Sequence, residues 1–475
     1  MNLPPAAHLY ESLAGEIAHM ISAGVIKSGE RLPSIRKLSS QRDVSLSTVI
    51  QAFRVLEDRG LIEVRPQAGF FVRRQALRAL PRTSQPSPEP APVAIDDVRR
   101  RLLRDSQSES GVALGPALLD PALYPNQALQ RLLASISRRE PQLIGSYAFP
   151  PGRSELRRQL ARRSLEWGGD LDPDELVITS GCIEALHLSL RAVTQPGDVV
   201  AIESPAYYGT LHLLEALGLQ AMEIPTHPIE GMSVAALELA TRSGGVKAVL
   251  VVANFGNPLG SLMPDDSKRR MVELLAARQI PLIEDDIYGD FHYGNERPRP
   301  LKAFDRSGNV LLCSSFSKIL APGLRVGWVA AGRHQRKIEA LKTISTMATP
   351  ELLQLTLAQF IEGGGFDHHL RRLRRACAAQ LHQMHEAVCR HFPAEAKVGL
   401  PQGGYVLWVE LPQHIDCVQL LQAALVEGIS FAPGVLFSSN PEQYRNCLRL
   451  CSGIGWSPAV EQAIRRLGEL IGLQG

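Results

Sequence analysis

Thirteen residues at positions 81–93, PRTSQPSPEPAPV, include five prolines. Proline fixes φ and has no N–H, so neither a helix interior nor a central strand runs through such a stretch. It also has few apolar side chains to anchor a core. Its composition predicts a semi-extended linker that could span about 40 Å at ~3.1 Å per residue. The 475 residues therefore divide into a small N-terminal domain over 1–76, a linker over 77–108 and a large domain over 109–475.

Charge separates the two parts. Residues 1–80 hold eleven Lys/Arg against seven Asp/Glu, a balance of +4, within a chain whose net charge is +3. A basic head on a near-neutral body points to a polyanion partner for the head. No apolar run reaches the roughly 18 residues of a membrane span, and the N-terminus lacks the charged-then-apolar pattern of a signal segment. The seven cysteines (182, 313, 377, 389, 417, 447 and 451) form no CxxC pair. Their odd number argues against a disulfide framework. A cytoplasmic protein with free thiols is expected, and no metal site.

In the head, LYESLAGEIAHMISAG has apolar residues at 9, 13, 17, 20 and 21, which is helical spacing. Gly24 is expected to end that helix. Ser34 caps a second, IRKLSSQR, and after a short turn at Asp43–Val44, Ser45 caps a third. The third helix should bury Val49, Ala52, Phe53 and Leu56 and close at Gly60. LIEVRPQAGFFV then reads as a two-stranded wing. Helix, helix, turn, helix and wing make a winged helix-turn-helix. The start of its third helix reaches base edges and phosphates in DNA-binding members of this class. Ser45, Ser47 and Thr48 sit there. Arg36 is placed for a backbone phosphate, and Arg65 and the Gly69 turn bring the wing to the flanking groove.

The segment RLPSIRKLSSQRDVSLSTVIQAFRVLEDRGLIEVRPQAGFFV is similar to the DNA-binding domain of the GntR family. The resemblance runs over residues 8–72 and rests on LPS-x-R-x-L, VS-x-x-TV, L-x-x-x-G-L and R-x-x-x-G. It implies double-stranded operator DNA as partner. Many members carry arginine where this chain has Leu46, so a base contact made by those members is missing here.

Beyond residue 100, near-continuous Val/Ile/Leu strands alternate with amphipathic helices: ELVITSG, DVVAIESP, KAVLVVANF, IPLIEDDIY and NVLLCSS. This pattern predicts an α/β domain with a mostly parallel sheet, whose ligands bind beyond the carboxyl ends of its strands. Polar clusters fall at those ends. SSFSKILAPGLRVG sets Lys318 beside Ser315, Ser317 and Arg325, donors suited to a phosphate. A lysine must be desolvated, or placed near other cations, to act as a nucleophile near neutral pH. TSGCIEAL places Ser180, Gly181 and Cys182 at a helix start, where N–H groups point at an anion.

IEDDIY puts Asp285 three residues before Tyr288. That carboxylate can keep a pyridine nitrogen protonated, and the tyrosine can donate to a phenolic oxygen. Asn257 can meet the same oxygen, Tyr207 offers a stacking surface, and Arg449 is a fork for a carboxylate. Singly, each has an ordinary structural account as cap, core, turn or surface charge. Together, in this order, they suit pyridoxal 5'-phosphate.

That order resembles the fold-type I, aspartate aminotransferase-like family over about residues 110–472. The resemblance implies that Lys318 carries the cofactor, that Asp285 pairs with its ring nitrogen, and that Tyr288 and Asn257 meet its phenolic oxygen. It implies Tyr207 on the ring face, Ser315, Ser317, Arg325, Ser180, Gly181 and Cys182 around the phosphate, and Arg449, with Asn257, at the substrate. Cys182 replaces the usual small hydroxyl. Tyr147, in SYAFPPGRSELR, resembles the tyrosine that reaches the phosphate of a neighbouring subunit, which implies a homodimer.

A winged helix, a linker and this domain in one chain are similar to the MocR subgroup of GntR regulators. That similarity implies a transcriptional regulator that senses an amino acid or related ligand. An active aminotransferase with an accessory DNA-binding head, or a protein that does both, is left open by the residues alone.

Overall fold

A computed structural model describes residues 9–22, 25–27, 29–58, 61–65, 69–72, 78–108, 111–440 and 442–474. In the head, α1 spans Leu9–Ser22, α2 Ile35–Arg42 and α3 Leu46–Asp58, followed by β1 at Ile62–Arg65 and β2 at Gly69–Val72. The wing strands pair antiparallel with Ile62 opposite Val72. Val49, Ala52, Phe53 and Leu56 are at most 1% exposed, packed with Leu13, Ile17 and Leu38. Leu9 is a departure from the predicted stripe: it lies on the surface, one turn before the core begins. Ser34 caps α2 by accepting the Lys37 N–H (3.3 Å), and Ser45 caps α3 by accepting the Thr48 N–H (3.1 Å). Gly24 and Gly60 lie outside the described residues.

The large unit is built on a mixed sheet. Its strands run in the order Ala91–Pro92, Gln220–His227, Val199–Ser204, Val246–Val251, Leu282–Asp285, Val310–Ser315, Gly327–Ala330 and Leu176–Thr179. The five strands from Gln220–His227 to Val310–Ser315 are parallel, and Gly327–Ala330 runs antiparallel to both its neighbours. These strands are buried on both faces, which explains their unbroken apolar sequences. A second, antiparallel sheet of Lys397–Val398, Val406–Glu410, Cys447–Cys451 and Ala432–Pro433 follows the 27-residue helix Gly365–His391. Among the described residues no helix is long and apolar enough to cross a membrane.

The proline-rich stretch is extended as predicted, but it is not a free tether. Arg78 clasps the end of the Gly365–His391 helix, donating to the carbonyls of Cys389 (2.6 Å), Phe392 (2.9 Å) and Pro393. The Arg82 N–H donates to Glu410 (2.7 Å), and Ser84 and Thr226 exchange backbone and hydroxyl hydrogen bonds. Ala91–Pro92 then pairs with Gln220–Ala221 as an edge strand. Proline is tolerated there because an edge strand needs no outward N–H donor. A helix at Asp97–Ser106 follows, fixed by Arg99 to the Ser438 and Ser439 carbonyls (both 3.0 Å). Residues 78–106 thus form a strap on the large unit.

Candidate functional site

Strand ends converge on a cavity of about 430 Å³, a size typical of small-molecule sites. At one end lies a cup of hydrogen-bond donors. Arg325, held at φ +51°, donates to Ser317 Oγ (2.9 Å) and to the Ser180 carbonyl (3.3 Å). The Ser317 N–H donates to Ser315 Oγ (3.2 Å). Gly181 has φ +93°, and a Cβ there would lie 2.6 Å from the guanidinium. Cys182 and Ile183, the first residues of the helix Cys182–Val193, line the cavity, where helical N–H groups lack partners within the helix.

Ser180 departs from its expected role. Its N–H is taken by Glu184 (2.6 Å), a carboxylate one turn into the same helix. Neither Ser180 nor Gly181 lines the cavity. They instead shape the loop and seat Arg325. The Cys182 thiol likewise points away from the cup, donating to Asp285 Oδ1 (3.2 Å).

At the other end stand Lys318, Asp285, Tyr288, Asn257 and Tyr207, all lining the cavity. Lys318 donates to the Ala117 carbonyl (2.8 Å). Burial pulls its ammonium down to about 8, and the nearby Arg449 and Arg325 also lower it. Burial pushes the Asp285 carboxyl up to about 6. Tyr288 and Tyr207 are raised by burial. Asn257 is 5% exposed, and neither atom of its amide has a hydrogen-bond partner among the described residues.

Arg449, on the second sheet, does not line the cavity. It is wholly buried, and all three guanidinium nitrogens lack partners among the described residues. A buried, unpaired cation costs several kcal/mol, so this geometry fits a chain whose anion comes from a ligand. Tyr147 is 66% exposed and outside this cavity. Contributors that the sequence reading missed include Gln107, Ala117 and Tyr208 on the wall, and Tyr124, whose hydroxyl meets the Lys318 carbonyl (3.4 Å). Ala117 acts through its backbone and carries no side-chain signal. The second tyrosine of SPAYYG was a readable one.

On the head, Ser34, Arg36, Ser45 and Ser47 are exposed and Thr48 half-buried. The Ser45 hydroxyl is shared with those of Ser47 (2.7 Å) and Thr48 (2.8 Å), so this triad first organises the helix start. Arg65 is engaged by Glu63 (2.7 Å) and stacks on Phe71, 4.4 Å from the ring centre. Gly69 has φ +103°, a conformation in which other residues are strained.

This is the fold-type I layout, with a winged helix ahead of it. The description "Aminotransferase class I and II" matches residues 123–467, and "Bacterial regulatory proteins, gntR family" matches residues 9–72. The chain belongs to the aminotransferase class I and II family, in the MocR-type arrangement that sets a gntR-family head before that domain.

It is 41% identical to "Uncharacterized HTH-type transcriptional regulator YdcR" of Escherichia coli (strain K12), over 97% of this chain and 98% of that protein. It is 38% identical to YjiR of the same strain, likewise an HTH-type transcriptional regulator by name, with the same coverages. The solved kynurenine aminotransferase of Pyrococcus horikoshii, in complex with PMP, is 30% identical. That match covers 80% of this chain and 95% of the other, with a TM-score of 0.74.

Proposed function

We propose that this protein is a DNA-binding transcriptional regulator whose large domain holds pyridoxal 5'-phosphate on Lys318 and senses an amino acid or a related carboxylate. The observation that carries this reading is the set of unpartnered buried polar atoms, two on Asn257 and three on Arg449, around a desolvated lysine. When bound, the cofactor supplies an electrophilic aldehyde and an electron-accepting ring. Asp285 would hold a proton at the ring nitrogen, Asn257, Tyr288 and Tyr207 would hold the ring, and Ser317, Arg325 and the helix start at Cys182 would hold the phosphate. Arg449 takes the ligand carboxylate as a two-pronged donor. The exposed Tyr147 supports a homodimer in which it completes the partner's cup. The exposed Arg36 and the start of α3 support operator binding.

An undamaged set of ligand-holding residues also favours turnover as a second reading. Amino-group exchange with a panel of amino acids, followed by cofactor absorbance, separates the two. Exchange through repeated cycles with a 2-oxo acid supports the enzyme. A single slow exchange, or none, with operator binding retained supports the regulator.

Two further outcomes check the cup and the lysine. Gly181→Ala places a Cβ against Arg325 and forces a strained backbone, which costs on the order of 1–3 kcal/mol. Cofactor affinity in equilibrium dialysis should fall roughly 5- to 150-fold, while binding of the head to duplex DNA is unchanged. The rate at which cofactor-free protein captures the cofactor should depend on the neutral amine of Lys318. It should fall about tenfold per pH unit below ~8 and level off above it. A profile that is still rising at pH 10 would contradict the burial of this lysine.

A further inference from the structure

The outer face of α3 carries two large aliphatic side chains. Leu46 is 49% exposed and Ile50 38% exposed, four residues apart and hence stacked along one face. The inner face is already supplied by Val49, Ala52, Phe53 and Leu56. Among the described residues, Leu46 and Ile50 therefore have no part in the head's core. They share the outer arc with Ser47, Gln51 and Arg54, all exposed. Arg36 and Lys37 are exposed on the neighbouring helix, and the region is net basic. That mixture suits a surface that meets a polyanion bearing local apolar groups, and duplex DNA offers such groups in its major groove.

We propose that Leu46 and Ile50 read thymine methyl groups, so that the half-site presents A·T pairs where α3 begins. The proposal rests on the reading that the head binds duplex DNA through α3. In the major groove the C5 methyl of thymine is the apolar feature that distinguishes the pairs. An aliphatic side chain packs on that methyl. Over a G·C pair the same side chain strips water from the O6 and N7 acceptors of guanine and returns no donor, which is costly. Gln51, one turn beyond Ser47, can donate to N7 and accept from N6 of adenine, the partner base of the same pairs. Arg36 and Lys37 stay available for phosphates, which set register and carry no sequence information. Leu46 and Ile50 thus act as specificity residues for operator DNA.

The test begins by selecting duplexes from a random library with the full-length, cofactor-loaded protein at one fixed salt concentration. Thymines at the selected positions are then replaced by deoxyuridine, which removes the methyl and keeps every hydrogen-bonding group. Each contacted methyl should be worth about fourfold in affinity, the value of one buried methylene. Leu46→Ala and Ile50→Ala should each abolish the thymine–uracil difference at one position, with affinity for non-specific DNA unchanged. Both side chains are exposed, so the variants should fold, and the deoxyuridine series on the native protein needs no variant. Selected half-sites with G·C at these positions would overturn the proposal. So would equal affinity for thymine and uracil duplexes, or alanine variants that keep the native discrimination. Absence of binding to any duplex at low salt would instead remove the DNA-binding reading itself, and this proposal with it.

Discussion

Lys318→Ala should abolish covalent cofactor retention completely. The native protein, reduced with borohydride in the presence of pyridoxal 5'-phosphate, should yield one stable adduct per chain, on the peptide that contains Lys318. Among the residues lining the cavity Lys318 is the sole lysine. Other buried lysines are committed elsewhere: Lys268 donates to Asn254 (2.8 Å), and Lys342 donates to Glu184 (2.8 Å). Each also has a carboxylate beside it, Asp265 at 3.9 Å from Lys268 and Glu184 on Lys342, whereas among the described residues Lys318 donates only to the Ala117 carbonyl.

Burial lowers its pKa to about 8, below the unfolded value. In the cofactor-free protein the charged form is thus a liability, fully present below pH ~8 and fading as pH rises toward the unfolded value. Removing the amine should therefore leave the cofactor-free fold intact, and the loss of adduct can be read as chemistry. Reversible binding should persist in the variant, because the proposed phosphate cup of Ser317 and Arg325 is unchanged. An adduct on another lysine, or an undiminished adduct in Lys318→Ala, would sink the assignment.

The sequence conveyed the strand ends well because buried parallel strands show as long apolar runs, and polar residues that interrupt such runs stand out. Asp285, Asn257, Ser317 and Lys318 were legible for that reason. Pairings between such residues were not. That Glu184 takes the Ser180 N–H, and that Cys182 turns to Asp285, depends on which way a loop closes, which residue types leave undetermined. The Ala117 carbonyl could not be read at all. Arg65 was readable in principle, since Glu63 lies two residues earlier on the same face of a strand.

The strap shows a different blindness. Proline-rich composition reports that a segment cannot build its own helix or central strand. It does not report that a neighbouring edge will accept it. Anchoring residues such as Arg78 and Ser84 bond to main-chain atoms of the large unit, and main-chain partners leave no trace in composition.

That strap sharpens the coupling expected between ligand and DNA. Operator affinity should change roughly 5- to 150-fold when the cofactor site is saturated with a ligand that perturbs the cofactor's absorbance, the range of couplings of about 1–3 kcal/mol. Between Val72 and Arg78 the chain can reach at most about 20 Å, far less than a free linker through residue 93 would allow. While the strap is docked, the head is confined. Two of its anchors lie next to the site. Ser84 accepts the Thr226 N–H (2.7 Å), and Thr226 Oγ1 accepts the N–H of Ser204 (3.0 Å), three residues before Tyr207. Leu80 and Pro81 share a crevice with Leu259 and Gly260, just after Asn257.

A ligand that shifts the Tyr207 or Asn257 loops thus acts on the strap's footing, and it moves the head only by its difference in affinity between the two arrangements. Ser84→Ala removes one hydrogen-bond partner, worth about 1 kcal/mol. It should reduce the coupling factor by up to about fivefold without altering cofactor capture. Titrating the protein with operator, with and without ligand at fixed salt, measures the factor, and titrating ligand with and without operator must return the same value. If no ligand that perturbs the cofactor moves the operator dissociation constant, the regulator reading fails and the aminotransferase reading takes its place. If coupling is intact in Ser84→Ala, the strap's serine is no part of the route.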